Sequence, residues 1–133
     1  MSEKKTVTGG CLCGAVQFSI ELPSKWCAHC HCSMCRKGHG AGYVTWVGLE
    51  SDQFHLGEQA GLEWFSSSDG ARRGFCRRCG SSMLFQSVHW AGEMHVALGC
   101  IEGAIDRRPQ AHAFYDTHVE WVPLDEALPI VKG

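Results

Sequence analysis

With 133 residues, 44% apolar and 20% charged, the chain has the size and composition of one globular domain and not of a disordered tract. A formal net charge of -2 gives no basic surface for nucleic acid. No apolar run approaches the ~20 residues needed to cross a bilayer as a helix, so no membrane partner is expected.

The chain starts Met1-Ser2-Glu3-Lys4-Lys5 with no apolar stretch behind it, so no secretory signal is expected and the cytoplasm is the expected compartment. Residues 15–21 alternate, with Val16, Phe18 and Ile20 on one face and Gln17, Ser19 and Glu21 on the other, which predicts a half-buried strand. Residues 43–49 are aromatic and β-branched, and residues 53–56 predict a short strand after a turn at Ser51-Asp52. Residues 62–65 follow, closed by the turn-forming run Ser66-Ser67-Ser68-Asp69-Gly70. Further strands are expected at 72–75, 82–86, 93–98 and 111–115, and residues 124–128 predict one helical turn before Pro129. There is no long helical period and no repeat of solenoid length. The expected fold is all-β, made of short antiparallel strands.

Nine cysteines are the most informative residues. An odd number cannot all pair within one chain, and structural disulfides are rare in the cytosol, so metal is the expected use. Cys76-Arg77-Arg78-Cys79-Gly80 has the form of a zinc knuckle: the turn aims both sulfurs at one ion, and the glycine lets backbone amides approach the thiolates. Cys11-Leu12-Cys13-Gly14 is a tighter pair that reaches one ion from a twisted or bulged strand. Together Cys11, Cys13, Cys76 and Cys79 make a closed four-sulfur set, with Arg77, Arg78 and Arg73 available to offset its charge. Closed sites stabilise the fold.

A second cluster runs Cys27-Ala28-His29-Cys30-His31-Cys32-Ser33-Met34-Cys35-Arg36-Lys37. Cys30, Cys32 and Cys35 are close enough to surround one metal from a single loop, leaving its fourth position open for chemistry. Cys27, His29 or His31 would close that position, and the protein would then be a binding module with two structural zincs. A redox pair, Cys27 with Cys30 or Cys32 with Cys35, is a third reading; such pairs normally accompany a βαβ unit, which the pattern lacks. Cys100 reads as a buried inert thiol. His55, His89, His95, His112 and His118 read as packing residues. The segment Gly38-His39-Gly40-Ala41-Gly42 matches no phosphate-binding loop, and there is no nucleophile elbow.

Three ordered motifs, Gly9-Gly10-Cys11-Leu12-Cys13-Gly14, then 30–37, then Arg73-Gly74-Phe75-Cys76-Arg77-Arg78-Cys79-Gly80, resemble the glutathione-dependent formaldehyde-activating enzyme family, which includes centromere protein V. The resemblance implies a β-tent of antiparallel sheets braced by a four-cysteine zinc site over a single zinc-binding domain, residues 1–133. It implies that Cys11, Cys13, Cys76 and Cys79 hold structural zinc, and that Cys30, Cys32 and Cys35 hold a catalytic zinc. The implied activity is a carbon–sulfur lyase reaction joining glutathione to formaldehyde. Its partners are a small thiol and an aldehyde, with Arg36, Lys37 and Arg73 as partners of substrate carboxylates or of the zinc-thiolate centre.

Overall fold

The computed structural model describes residues 5–131; Met1 to Lys4, most of the segment read for a targeting signal, lie outside them. Twelve strands and one helix follow in chain order. They are β1 (Lys5–Gly10), β2 (Val16–Leu22), β3 (Trp26–Cys30), α1 (Ser33–His39), β4 (Val44–Glu50), β5 (Phe54–Gln59), β6 (Leu62–Ser68), β7 (Ala71–Cys76), β8 (Ser82–Ser87), β9 (Glu93–Ala97), β10 (Ile101–Glu102), β11 (His112–Ala113) and β12 (Ile130–Val131). Among the described residues no helix is long and apolar enough to cross a membrane.

The strands form a four-stranded sheet, β10-β1-β2-β5, and an eight-stranded sheet, β12-β11-β3-β4-β9-β8-β7-β6. The fold is all-β, as expected, with one departure from antiparallel pairing: β11 runs parallel to both β3 and β12. The final segment returns to the sheet edge in the same direction as β3, which only a crossover connection allows.

In β2 the alternation is fully realised: Val16, Phe18, Ile20 and Leu22 are buried. They pack with Val7 of β1 against one face of the large sheet, which contributes Cys27, Val47, Leu49, Met83, Leu84, Met94 and Val96. Met83 and Leu84 are neighbours yet share this core, because the β7–β8 register shifts between Gly74 and Phe75. The opposite face carries a second cluster of Cys30, Cys35, Val44, Trp46 and Ala97, with Trp26, Cys32, Phe85 and Phe114 packed on it. β3, β4, β8 and β9 therefore serve two cores, one on each face of the large sheet.

Sequence pattern alone predicted neither β1 nor β3. Two glycines and two threonines leave β1 little apolar signature, and its six-residue register with β2 supplies the pairing. The stretch expected as one metal-binding loop is a strand end followed by a helix: Cys30 ends β3, Cys32 is the N-cap of α1, and Cys35 is buried in its first turns. Residues 124–128 form no helix. The Asp125 carboxylate accepts from the Ala127 amide at 3.0 Å, which favours a turn over helix continuation, and β12 begins at Ile130.

Candidate metal centres

Cys11 and Cys13 occupy the turn between β1 and β2, Cys76 ends β7, and Cys79 lies in the turn to β8. Gly14 (φ 84°) and Gly80 (φ 81°) take the left-handed conformation that closes the two turns. All four sulfurs lie within 4.8 Å of one another, with Cys11 and Cys13 Sγ 3.7 Å apart and Cys13 and Cys76 Sγ 3.8 Å apart. Tetrahedral zinc with ~2.3 Å bonds requires sulfurs about 3.8 Å apart, so this donor set fits the ion. The Val16 amide donates to Cys11 Sγ at 3.2 Å, and the Ser81 hydroxyl lies 3.3 Å from Cys79 Sγ. Ser81 Oγ also accepts from the Leu12 amide at 3.0 Å, linking the two turns directly.

The ionisation of the four thiols is uneven. The Ser81 hydroxyl, helped by the Ser81 and Cys13 amides, draws Cys79 down to about 5. The Ala15 amide favours the Cys13 thiolate, but desolvation and the other three sulfurs push it up to about 11. Four thiols this close resist full deprotonation unless a cation compensates them. Arg77 reaches Glu63 at 3.7 Å, so its charge is shared with a carboxylate.

At the second cluster the structure brings Cys30 and Cys35 together, with their sulfurs 3.5 Å apart. The Trp46 indole N–H donates to Cys35 Sγ at 3.4 Å, and Arg73 places Nη1 and Nη2 each 3.6 Å from it. The Cys30 hydrogen bond outweighs burial, and with Arg73 and Trp46 it lowers Cys35 to about 6. Cys30 moves the opposite way, raised by the same bond and by burial. Within the pair, negative charge is thus favoured on Cys35 over Cys30. Trp46 was not legible as part of this site, because only its place in β4, beside β3, brings it over the helix.

Cys32 lines the same cavity and packs on the same cluster, and its amide supports the Cys30 sulfur. Its sulfur does not complete a compact triad: among the described residues, Cys11, Cys13, Cys76 and Cys79 are the only set of three or more thiol, imidazole or carboxylate ligand atoms this close together.

The three residues that would close the second site are each engaged elsewhere. Cys27 is fully buried in the core on the other face of β3, and burial pushes its thiol up to about 11. His29 Nδ1 lies 2.8 Å from the Thr45 hydroxyl. His31 Nε2 lies 2.9 Å from His112 Nδ1, and His112 Nε2 lies 2.9 Å from the Asp125 carbonyl. A carbonyl only accepts, so His112 carries its proton on Nε2 and His31 donates to it. This pair anchors the tail against the segment between Cys30 and Cys32. The redox pair Cys27–Cys30 is excluded by the same parity. Cys100 is partly buried, and its thiol points at the Ser82 carbonyl 3.7 Å away.

Cys30, Cys32 and Cys35 face a cavity of about 930 Å³ whose walls also include Trp46, Arg73 and Phe85. Of the residues expected to attract carboxylates, Arg73 lines it; Lys37 is solvent-exposed on α1.

A protein of Halomonas elongata, provisionally named a glutathione-dependent formaldehyde-activating enzyme, is 29% identical over 126 residues, covering 88% of this chain and 80% of the relative. An uncharacterised lyase of Schizosaccharomyces pombe is 32% identical over 79 residues, 58% of this chain and 55% of its own length. The crystal structure of a Rhodobacter sphaeroides protein superposes with a TM-score of 0.63 at 27% identity, covering 75% of this chain and 92% of that one. The family model described as glutathione-dependent formaldehyde-activating enzyme matches residues 6–117, and the chain belongs to that family.

Proposed function

We propose that the protein is a zinc-dependent carbon–sulfur lyase that joins a small thiol to an aldehyde, the glutathione and formaldehyde of the family description being the reference pair. The observation that carries this reading is the Cys35 sulfur, buried yet held by the Trp46 indole and the charged Arg73, facing a large cavity. In this reading Cys11, Cys13, Cys76 and Cys79 hold one zinc that stabilises the fold, within a single domain spanning 1–133. Cys30, Cys32 and Cys35 hold the second, in the cytoplasm.

When bound at the second site, zinc supplies Lewis acidity and lowers the pKa of an incoming thiol. The chain supplies the rest. Trp46 and Arg73 favour negative charge on Cys35 by donating to its sulfur. In the reaction a bond forms between the thiol sulfur and the carbonyl carbon, the C=O π bond opens, and the thiol proton ends on the new hydroxyl oxygen.

The test is the rate of adduct formation from glutathione and formaldehyde with zinc-loaded protein, against the uncatalysed rate. Acceleration is expected, with loss of at least about tenfold in Arg73→Met, since a charged donor to the thiolate contributes roughly 1.5–3 kcal/mol. No acceleration with glutathione or with other cellular thiols would remove the enzyme reading.

A further inference from the structure

The cavity beside Cys35 is unlike a glutathione site. Among the described residues that line it, Arg73 alone carries a permanent charge and none is a carboxylate. Glutathione presents two carboxylates and an ammonium. Arg73 already faces the Cys35 sulfur and lies 4.8 Å over the Phe85 ring, and the ammonium would meet no carboxylate among the described lining residues. Formaldehyde, with no apolar body, would leave almost all of the space to water.

Much of the cavity wall is aromatic. Phe85 lies 6.0 Å from Trp46, 6.2 Å from Trp90 and 5.7 Å from His95, centroid to centroid. Trp26 meets His95 edge-on at 4.6 Å. These walls are fixed from behind. Glu93 accepts from the Trp26 indole at 3.3 Å and from His95 Nε2 at 2.9 Å, and Lys25 donates to Glu93 at 2.7 Å. Trp90 is half-buried on a short 3-10 turn, Val88–Trp90, that the Ser87 hydroxyl caps. A wall of rings held by these bonds, in the same cavity as the Cys35 sulfur, suits a flat apolar body better than a polar peptide.

The geometry points to an aldehyde with an aromatic, ring-sized body as the second substrate: its rings lie among Trp26, Phe85 and Trp90, and its carbonyl reaches Cys30 and Cys35. The polar thiol then arrives from solvent past Met34, which lines the cavity and is 43% exposed. The assignment of the reacting group as a carbonyl rests on the enzyme reading above; the assignment of the aromatic slot does not.

The test is calorimetric titration of the zinc-loaded full chain with 2-naphthylmethanol, the unreactive alcohol of an aromatic aldehyde, and separately with glutathione. The alcohol is expected to bind at least about tenfold more tightly than glutathione. Trp90→Ala is expected to weaken it about tenfold with zinc content unchanged, and Trp90→Phe to restore most of the loss, because ring contact and burial together amount to about 1.4 kcal/mol. Glutathione binding as tightly as the alcohol, or an affinity unmoved by Trp90→Ala, would overturn the assignment. Binding is read without turnover, so naphthylmethanol affinity without any adduct formation would support the slot and sink the enzyme reading. Adduct formation from formaldehyde without naphthylmethanol affinity would do the reverse.

Discussion

Cys27 and Cys30 stand three residues apart on β3 and point to opposite faces of one sheet. That parity separates a packing thiol from a reactive one. Cys27→Ala is expected to leave metal content unchanged and to cost roughly 1 kcal/mol for the small cavity it opens. Cys35→Ser is expected to lose the second metal and the activity together. Elemental analysis beside urea unfolding checks both, and loss of metal from Cys27→Ala would mean that the second site is closed. The cysteines themselves were legible, since knuckle spacing is a local property of the chain. Trp46 was not, because its bond to Cys35 exists only once β4 lies beside β3. The uneven thiol ionisation was equally out of reach, depending as it does on Arg73 arriving from β7.

Clean alternation made β2 readable to within a residue or two, because one buried face writes itself into the sequence with period two. β3 escaped notice for the opposite reason: its residues serve both faces, so it shows no alternation. The seven-residue helix α1 is too short to display a helical period. The contact between β3 and β4 gives the sharpest test at this scale. Gly48 pairs with Trp26 on one side and His95 on the other, and the Trp26 ring lies directly across it. Any Cβ there would fall within the van der Waals surface of the indole, which must move and release Glu93. Gly48→Ala is therefore expected to destabilise the fold by about 1–3 kcal/mol, the usual range for forcing bulk into a packed site. Urea unfolding measures the cost and tryptophan emission reports the displaced ring; an unchanged midpoint would refute this packing account.

At the scale of the whole molecule, the two sheets meet in one core and are tied at one edge by four sulfurs. Cys11 and Cys13 come from the turn that joins β1 to β2 in the small sheet, and Cys76 and Cys79 from the β7–β8 turn of the large one. Without an ion, four thiols crowd within 4.8 Å of one another, with Ser81 and a few backbone amides to stabilise any charge. With an ion, their binding energy becomes folding energy, of the order of 10 kcal/mol for structural zinc, which equals the entire net stability of a typical domain. Chelation at neutral pH is therefore expected to abolish the cooperative thermal transition and not merely to shift it. Hydrogen exchange should show β1 and β2 losing protection first, since the small sheet depends most on that edge. Cys13→Ser should reproduce the effect, whereas Cys32→Ser, on the far cluster, should leave the transition within a few degrees of the parent. A stripped protein that still melted cooperatively near the original temperature would show that the shared apolar core, Val16, Ile20, Val47 and Val96 among it, suffices by itself.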